Sequence, residues 1–405
     1  MNDIIKGRDI VVTGLQAWDN AIGSNCINIA LEFAKQNRVL YVNSPLDTIT
    51  VLKGKNDEKV QKRLRIIDGQ EKDLAKVGEN IWEFNPRKKI KSINWIKFDW
   101  LFDFFNKRNN AIFTKEVKRA MDKLGFKNII LFNDSDMFRS FYFQEYLKPE
   151  VSIYYSRDNL IAVDYWKAHG IRIEAELIEK SDAAVANSTY LADYCRQFNK
   201  NSFYVGQGCD LSLFDKNLIK EEPKDLKDIP HPRIGYVGAI FTLRLDIDIL
   251  SYIAKTKPDW QIVLVGPEDD GFLNSELHGM KNVHFFGSKD GSLLPSYINY
   301  FDVCINPQLL NEVTIGNYPR KIDEYLAMEK PTVATKTVAM SIFANHTYLA
   351  ETKEEYVKLI ELALKEDNEE KGKARREFAS SHTWENNVKE IYKAINLVYE
   401  LRGKK

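Results

Sequence analysis

The stretch from Asn317 to Thr335, NYPRKIDEYLAMEKPTVAT, constrains this chain more than any other. Pro319 suits the first turn of a helix, where its missing N–H costs nothing, and Ile322, Tyr325, Leu326 and Ala327 follow as an apolar face at helical spacing. The spacing predicts a helix from near Tyr318, stopped by Pro331 after Glu329 and Lys330, then a short buried strand through Thr332, Val333 and Ala334. Arg320 and Lys321 fall in the first helical turn, the positive end of the helix dipole, which ordinarily favours Asp or Glu. That placement calls for an anion. Glu324 lies three residues beyond Lys321 on the same face, so the two could hold a phosphate and a pair of adjacent hydroxyls. A solvated Lys/Glu pair is the plainer alternative.

As a word, the stretch resembles the sugar-nucleotide signature of the retaining GT-B glycosyltransferases. Members from bacterial surface-polysaccharide and teichuronic-acid-type pathways show P-x-K-x-x-E-Y-L-A followed by K-P-x-V-A-T, here Pro319, Lys321, Glu324, Tyr325, Leu326 and Ala327, then Lys330 to Thr335. A first glutamate that the wider family carries eight positions earlier is Gly316 in this chain. The resemblance implies an α/β GT-B fold: two Rossmann-like domains facing a cleft, with the C-terminal helix crossing back to the N-terminal domain. It also implies that Asn317, Tyr318, Lys321 and Glu324 belong to the donor site.

The remaining sequence bounds the function classes. A chain of 405 residues with 44% hydrophobic content can bury more than one core, and two domains are expected. The 58 basic and 58 acidic residues cancel, so no global field points to nucleic acid. Cys26, Cys195, Cys209 and Cys304 are scattered, with no CxxC and no metal-like pairing with the six histidines, which reads as reduced cytosolic thiols and no zinc. No run of about 18 apolar residues occurs, so neither a signal peptide nor a spanning helix is expected, and the protein is read as cytoplasmic, soluble or peripheral.

In the N-terminal half, Asp9 to Thr13 and Val39 to Val42 read as buried strands around a helix over Ile27 to Phe33, a βαβ unit. The intervening loop has no G-x-G-x-x-G spacing, and the second strand ends at Asn43 where a dinucleotide site would want an acid. By resemblance, this loop faces the cleft, and Gly23, Ser24 and Asn25 are candidates for donor phosphate or acceptor. Residues 53–76 read as solvated helix and loop. Between residues 87 and 108, Arg87, Lys88, Lys89, Lys91, Lys97, Lys107 and Arg108 interleave with Trp95, Phe98, Trp100, Phe102, Phe104 and Phe105. That pattern suits an anionic membrane surface, or a helix with its aromatics in the core. Strands over Asn128 to Phe132 and Val151 to Tyr155 end in polar loops, where ligands sit in α/β sheets. Asp158 is the candidate there for acceptor handling as a general base, with a loop cap as the alternative. A strand over Ala183 to Asn187 leads to Ser188 and Thr189 as a helix cap, and Gly206, Gly208, Asp210 and Phe214 match the N-G-V-D-x-x-x-F word of GT-B proteins.

The second half restarts at Arg233. RIGYVGAIFTLRLD is a strand, then Gly238 and a loop reaching a helix near Ile247, which lets backbone N–H groups approach a phosphate while Arg244 supplies charge and Asp246 caps the helix. Strands QIVLVG and NVHFF follow, and by resemblance Gly287, Ser288 and Lys289 form the base-contacting loop. Asp269 and Asp270 read as solvent-facing and not as a metal-binding DxD. Helices are expected over Tyr356 to Leu364 and Glu385 to Leu401, with Trp384 anchoring the break between them.

The reading is therefore an N-terminal acceptor-binding domain over 1–215, a linker over 216–229, a nucleotide-sugar-binding domain over 230–380 and a returning helix over 381–405. The resemblance implies a hexosyltransferase using a nucleotide diphosphate sugar and a glycan or lipid-linked acceptor in bacterial surface-polysaccharide synthesis, retaining, with no cofactor and no required metal. Arg244 and Lys321 would stabilise the departing diphosphate. Two alternatives share the donor site: a sugar-nucleotide epimerase, which consumes no acceptor, and a non-catalytic nucleotide-sugar-binding protein, which releases no nucleoside diphosphate.

Overall fold

Strands buried on both faces and separated by helices build two parallel sheets, described by a computed structural model over residues 4–20 and 24–403. The chain divides into two units, the first comprising Met1–Gly206 with Trp384–Lys405 and the second Gln207–Thr383.

The first unit contains β1 (Asp9–Gly14), β2 (Arg38–Val42), β3 (Leu74–Lys76), β4 (Ile81–Phe84), β5 (Ile130–Asp134), β6 (Val151–Ser156), β7 (Ala183–Ala186) and β8 (Ser202–Tyr204). They lie in the order β3-β4-β2-β1-β5-β6-β7-β8, and β3 alone among them runs antiparallel to its neighbour. Alternate residues of β1 serve opposite faces, as the two-residue strand period demands. Ile10 and Val12 pack with Ile29 and Phe33 of the Asn25–Ala34 helix and with Ile391 and Ile395 of the Trp384–Leu401 helix. Val11 packs on the other face with Phe113 and Val117 of the Asp99–Leu124 helix. The returning C-terminal helix is thus part of the first unit's core. The sheet order reverses between β1 and β5, the switch point where ligand crevices form in open α/β sheets.

The second unit contains β9 (Arg233–Val237), β10 (Gln261–Val265), β11 (Val283–Phe285), β12 (Val303–Asn306), β13 (Thr332–Thr335) and β14 (Tyr348–Ala350), all parallel, in the order β11-β10-β9-β12-β13-β14. Its switch point lies between β9 and β12.

Several local expectations change. Residues 53–76 contain the Glu58–Ile67 helix and the β3 edge strand in addition to loop. The 87–108 stretch splits in two: Phe102, on the long Asp99–Leu124 helix, is fully buried, whereas Trp95, Phe98, Trp100 and Phe104 are exposed. Residues 207–229 fold within the second unit. Leu226 is buried in its core, Lys216 pairs with Glu329, and Asp225 with Lys289, all within that unit. The units part at 206/207 and 383/384. A helix over Glu369–Ser380 had no apolar periodicity to announce it, because its buried face is Gly372, Arg375 and Ala379. All four cysteines are buried and free, and no helix among the described residues is long and apolar enough to cross a membrane.

Candidate functional site

The signature helix spans Arg320–Ala327, with Pro319 at its N-cap. It ends at Ala327, three residues sooner than the stop at Pro331 suggests. Glu329 adopts a left-handed conformation, φ 63°, and its carbonyl accepts from the Arg375 guanidinium at 2.7 and 3.1 Å, which supports a turn that a non-glycine residue disfavours.

The inward face of this helix is fully partnered. Tyr325 is buried, and its hydroxyl accepts from the Val237 N–H at 2.8 Å and donates to the Val237 carbonyl at 3.3 Å. Asp323, with no exposed surface, accepts from the Tyr318 hydroxyl at 2.8 Å and from the Cys209 thiol at 3.2 Å, and lies 2.6 Å from His382 Nδ1. These bonds fix the helix against the end of β9. Lys321 is one turn before Tyr325 and is thereby carried to Gly238, the residue after Val237.

At that point the backbone comes very close to its surroundings. Gly238 has φ 141°, and a Cβ there would lie 3.1 Å from Lys321 Cε, 3.2 Å from Lys321 Nζ and 3.1 Å from the Tyr236 hydroxyl. Gly266, at the end of β10, has φ 154°, and a Cβ there would overlap the Gly238 carbonyl. Only glycine fits either position. The Lys321 ammonium lies 4.7 Å from the Tyr236 ring centroid and has no acidic partner among the described residues. The carboxylate of Glu324, half-buried one turn on, also has no hydrogen-bond or ion-pair partner among them, and burial pushes its pKa up against the opposing pull of Arg320 and Lys321. Asn317 Oδ1 and Arg320 Nε are buried without partners as well. Arg320 was not singled out as a site residue from sequence, although its first-turn position was the available signal.

The other second-unit candidates are placed as follows. Arg244 is exposed on the loop after Gly238, its guanidinium without an ion pair among the described residues. This loop is held by Leu309 N–H to the Arg244 carbonyl at 2.9 Å and Asn311 Nδ2 to the Leu243 carbonyl at 2.8 Å. Asp246 caps the Ile247–Thr256 helix as its position suggested. Asp269 is not simply solvent-facing: it accepts from both the N–H and the hydroxyl of Thr242 at 2.8 Å, tying the same loop to the end of β10. Gly287 turns in the left-handed region and Ser288 is exposed, whereas the Lys289 ammonium is committed to Asp225 at 2.7 Å. Tyr318 is likewise committed, to Asp323, so neither side chain is held ready for a ligand.

In the first unit, Gly23 lies outside the described residues. The Ser24 hydroxyl caps the following helix, accepting from Ile27 N–H at 3.4 Å, and Asn25 opens that helix beside the Tyr155 phenol. Asp158 is partly exposed and accepts from Arg157 Nη1 at 3.1 Å. Arg157 also donates through Nε to the fully buried Asp134 at 2.8 Å. Burial pushes the Asp134 carboxyl up and the Arg157 guanidinium pulls it back. This pair at the β5 and β6 ends was legible in the sequence only as polar residues closing two apolar strands.

Residues 231–366, within the second unit, match the family described as "Glycosyl transferases group 1". TuaH of Bacillus subtilis (strain 168), named for a glycosyltransferase role in teichuronic acid biosynthesis, is 26% identical over 232 residues. That alignment covers 54% of this chain and 58% of TuaH, little over half of the curated relative. Among solved structures, sucrose-phosphate synthase from Thermosynechococcus elongatus superposes with a TM-score of 0.65 at 15% identity, over 97% of this chain and all of that one. Anabaena HepE in complex with UDP gives 0.60 at 12% identity over 98% of both chains. An Escherichia coli protein of trehalose-6-phosphate chemistry bound with UDP-2-fluoro glucose gives 0.64 at 11%, over 96% of this chain and 98% of that one. At these identities the likeness is one of fold, and the fold is GT-B.

Proposed function

We propose that this chain is a glycosyltransferase that moves a hexose from a nucleotide diphosphate sugar to a glycan or lipid-linked acceptor in bacterial surface-polysaccharide synthesis, with retention and without a required metal. One observation carries the reading: an unpaired lysine ammonium held against a glycine backbone at the strand-order switch point, within the stretch that matches the glycosyl transferases group 1 family. A diphosphate is the ligand this arrangement suits, since Gly238 lets it approach the backbone and Lys321 meets its charge. Negative charge on the diphosphate grows as the sugar leaves, so Lys321, with Arg244 from the adjoining loop, favours the transition state over the ground state. Glu324 accepts from ribose or sugar hydroxyls, the partners its half-buried carboxylate lacks. Asp158, on the loop after β6, is the acceptor-side base in this reading.

A panel of UDP, GDP, dTDP and ADP in thermal unfolding tests the donor half. The cognate nucleotide at about 100 times its dissociation constant adds roughly 2.7 kcal/mol of stability. Its hexose derivative then releases nucleoside diphosphate in an acceptor-dependent reaction, which separates a transferase from an epimerase or a binding protein. Stabilisation by none of the four nucleotides would remove the donor assignment.

A further inference from the structure

Asp323 stands on the signature helix two residues after Lys321 and directly before Glu324. At 3.6 residues per turn it lies about 200° round the axis from the lysine, on the opposite side of the helix. Its carboxylate has no exposed surface and holds groups from two stretches far apart in the sequence. The Cys209 thiol donates to Oδ2 at 3.2 Å, and His382 Nδ1 lies 2.6 Å from Oδ1. The Tyr318 hydroxyl donates to Oδ2 at 2.8 Å and lies 3.2 Å from the same histidine nitrogen, which closes the group.

Cys209 and His382 are also joined to each other, because the Cys209 N–H donates to the His382 carbonyl at 2.9 Å. The second unit runs from Gln207 to Thr383, so these are the stretches by which the chain enters and leaves it. One buried carboxylate on the signature helix therefore fastens both. The His382 ring is set edge-on to Phe378 and Phe343, with centroids at 4.6 and 6.0 Å and interplanar angles of 76° and 83°, which fixes its orientation toward Asp323.

Two properties make this a mechanical link. A carboxylate with no exposed surface cannot replace a lost partner with water, so a shift of the helix that stretched either bond would leave a buried acceptor unmet. The helix is also one hydrogen-bonded body of eight residues, so Lys321, Asp323 and Glu324 shift together. Whatever Lys321 and Glu324 hold is felt at Cys209 and His382.

We propose that His382 is a positioning residue of the transferase. Through Asp323 it sets the signature helix against the two connecting stretches, so that a nucleotide held by Lys321 and Glu324 tightens these stretches and their loosening weakens the nucleotide. The inference rests on the donor reading of Lys321 and Glu324 and adds a control on that site. Linkage makes the effect reciprocal.

Cys209 reports on the link. Its thiol is 7% exposed, and burial, with the Asp323 carboxylate beside it, pushes it well above the usual thiol range, so iodoacetamide reaches it only when the stretch opens. Alkylation is followed by peptide mass at Cys209 and at Cys304, which is fully buried in β12 of the same unit and reports opening of that unit's core. The ligand is whichever of UDP, GDP, dTDP and ADP stabilises the chain most. At saturation it is expected to slow alkylation of Cys209 at least about fivefold more than that of Cys304. His382→Ala is expected to raise the nucleotide Kd about tenfold in a calorimetric titration and to shrink the difference between the two thiols below about twofold. His382→Asn, whose amide stands where Nδ1 does, should restore the Kd to within about threefold of the parent. A His382→Ala chain that melts earlier but keeps the parent Kd and the parent thiol difference makes His382 merely structural and overturns the proposal. Equal slowing at both thiols in the parent overturns it too and leaves the donor reading standing. Binding of none of the four nucleotides removes the donor reading, and this inference with it. If His382→Ala fails to fold, the thiol difference in the parent and its retention in His382→Asn decide.

Discussion

Replacing Lys321 by methionine removes its charge and keeps most of the apolar stem that packs against Tyr236. The structure sets both consequences. No acidic side chain among the described residues pairs with this ammonium, so the fold loses only its cation–π contact, worth ~0.5–1 kcal/mol. The reaction loses much more. At an effective dielectric constant near 20, a unit charge ~4 Å from a phosphate oxygen contributes about 4 kcal/mol. Only the part that grows as the diphosphate departs lowers the barrier, and loss of one preorganised donor of this kind costs ~10²–10³ in kcat. We therefore expect kcat for nucleoside diphosphate release to fall at least a hundredfold, about 2.7 kcal/mol, with an unfolding midpoint within about 1 kcal/mol of the parent. Initial rates at saturating donor and acceptor, with a denaturant melt on the same preparation, read out both numbers. A kcat within about threefold of the parent would refute the assignment, because a charge at that distance from the leaving group could not then be silent. A large loss of stability would refute it differently, by making Lys321 a structural residue.

Three further substitutions test neighbouring parts of the argument. Gly238→Ala puts a Cβ 3.1–3.2 Å from Lys321 and Tyr236 at φ 141°, so a cost of ~1–3 kcal/mol in a urea melt is expected together with weaker nucleotide binding; unchanged values for both would mean that the backbone approach is unimportant. Glu324→Gln is expected to lower nucleotide affinity by ~1.5–3 kcal/mol in a calorimetric titration without lowering the unfolding temperature, since no protein partner is lost. Glu174 is 2% exposed, accepts from the Tyr154 hydroxyl at 2.6 Å and the Tyr194 hydroxyl at 3.3 Å, and burial pushes its pKa to about 7 from the usual 4.5. A raised carboxyl pKa means stability present below the unfolded value and lost as pH rises through about 7. Glu174→Gln should therefore gain roughly 3 kcal/mol on the parent at pH 8 and almost nothing at pH 4, and a pH-independent difference between the two melts would show that the buried carboxyl does not titrate there.

What the sequence makes legible follows from where the physics is local. The β9 strand, Gly238 and the helix-to-β13 stretch stand out because apolar runs, a glycine at a strand end and 3.6-residue spacing are short-range signals. Lys289 and Tyr318 look like ligand groups for the same reason. Their partners, Asp225 and Asp323, are 64 and 5 residues away, and only the folded structure shows those bonds being made. The Glu369–Ser380 helix is hidden because its buried face uses a glycine and an arginine, and that arginine holds the unusual turn at Glu329. The 87–108 stretch offers two readings that periodicity cannot separate. Burial divides it residue by residue, with Phe102 in the core and Trp95, Phe98, Trp100 and Phe104 outside.

The signature helix itself separates scaffold from site on physical grounds. Asp323 and Tyr325 have bonds to His382, Tyr318, Cys209 and the end of β9, so this face holds the helix in place. Lys321 and Glu324, on the same two turns, have none among the described residues, and neither do Asn317 Oδ1 and Arg320 Nε just before them. Four polar groups without partners within eight residues would each be expected to destabilise the folded chain, by ~1–3 kcal/mol where fully buried. Protein interiors rarely leave such groups unmatched. A ligand rich in anionic oxygens and hydroxyls supplies acceptors for the lysine and the arginine and donors for the carboxylate and the amide oxygen at once. The contrast between the two faces of one short helix therefore supports a nucleotide sugar here more strongly than any single residue does.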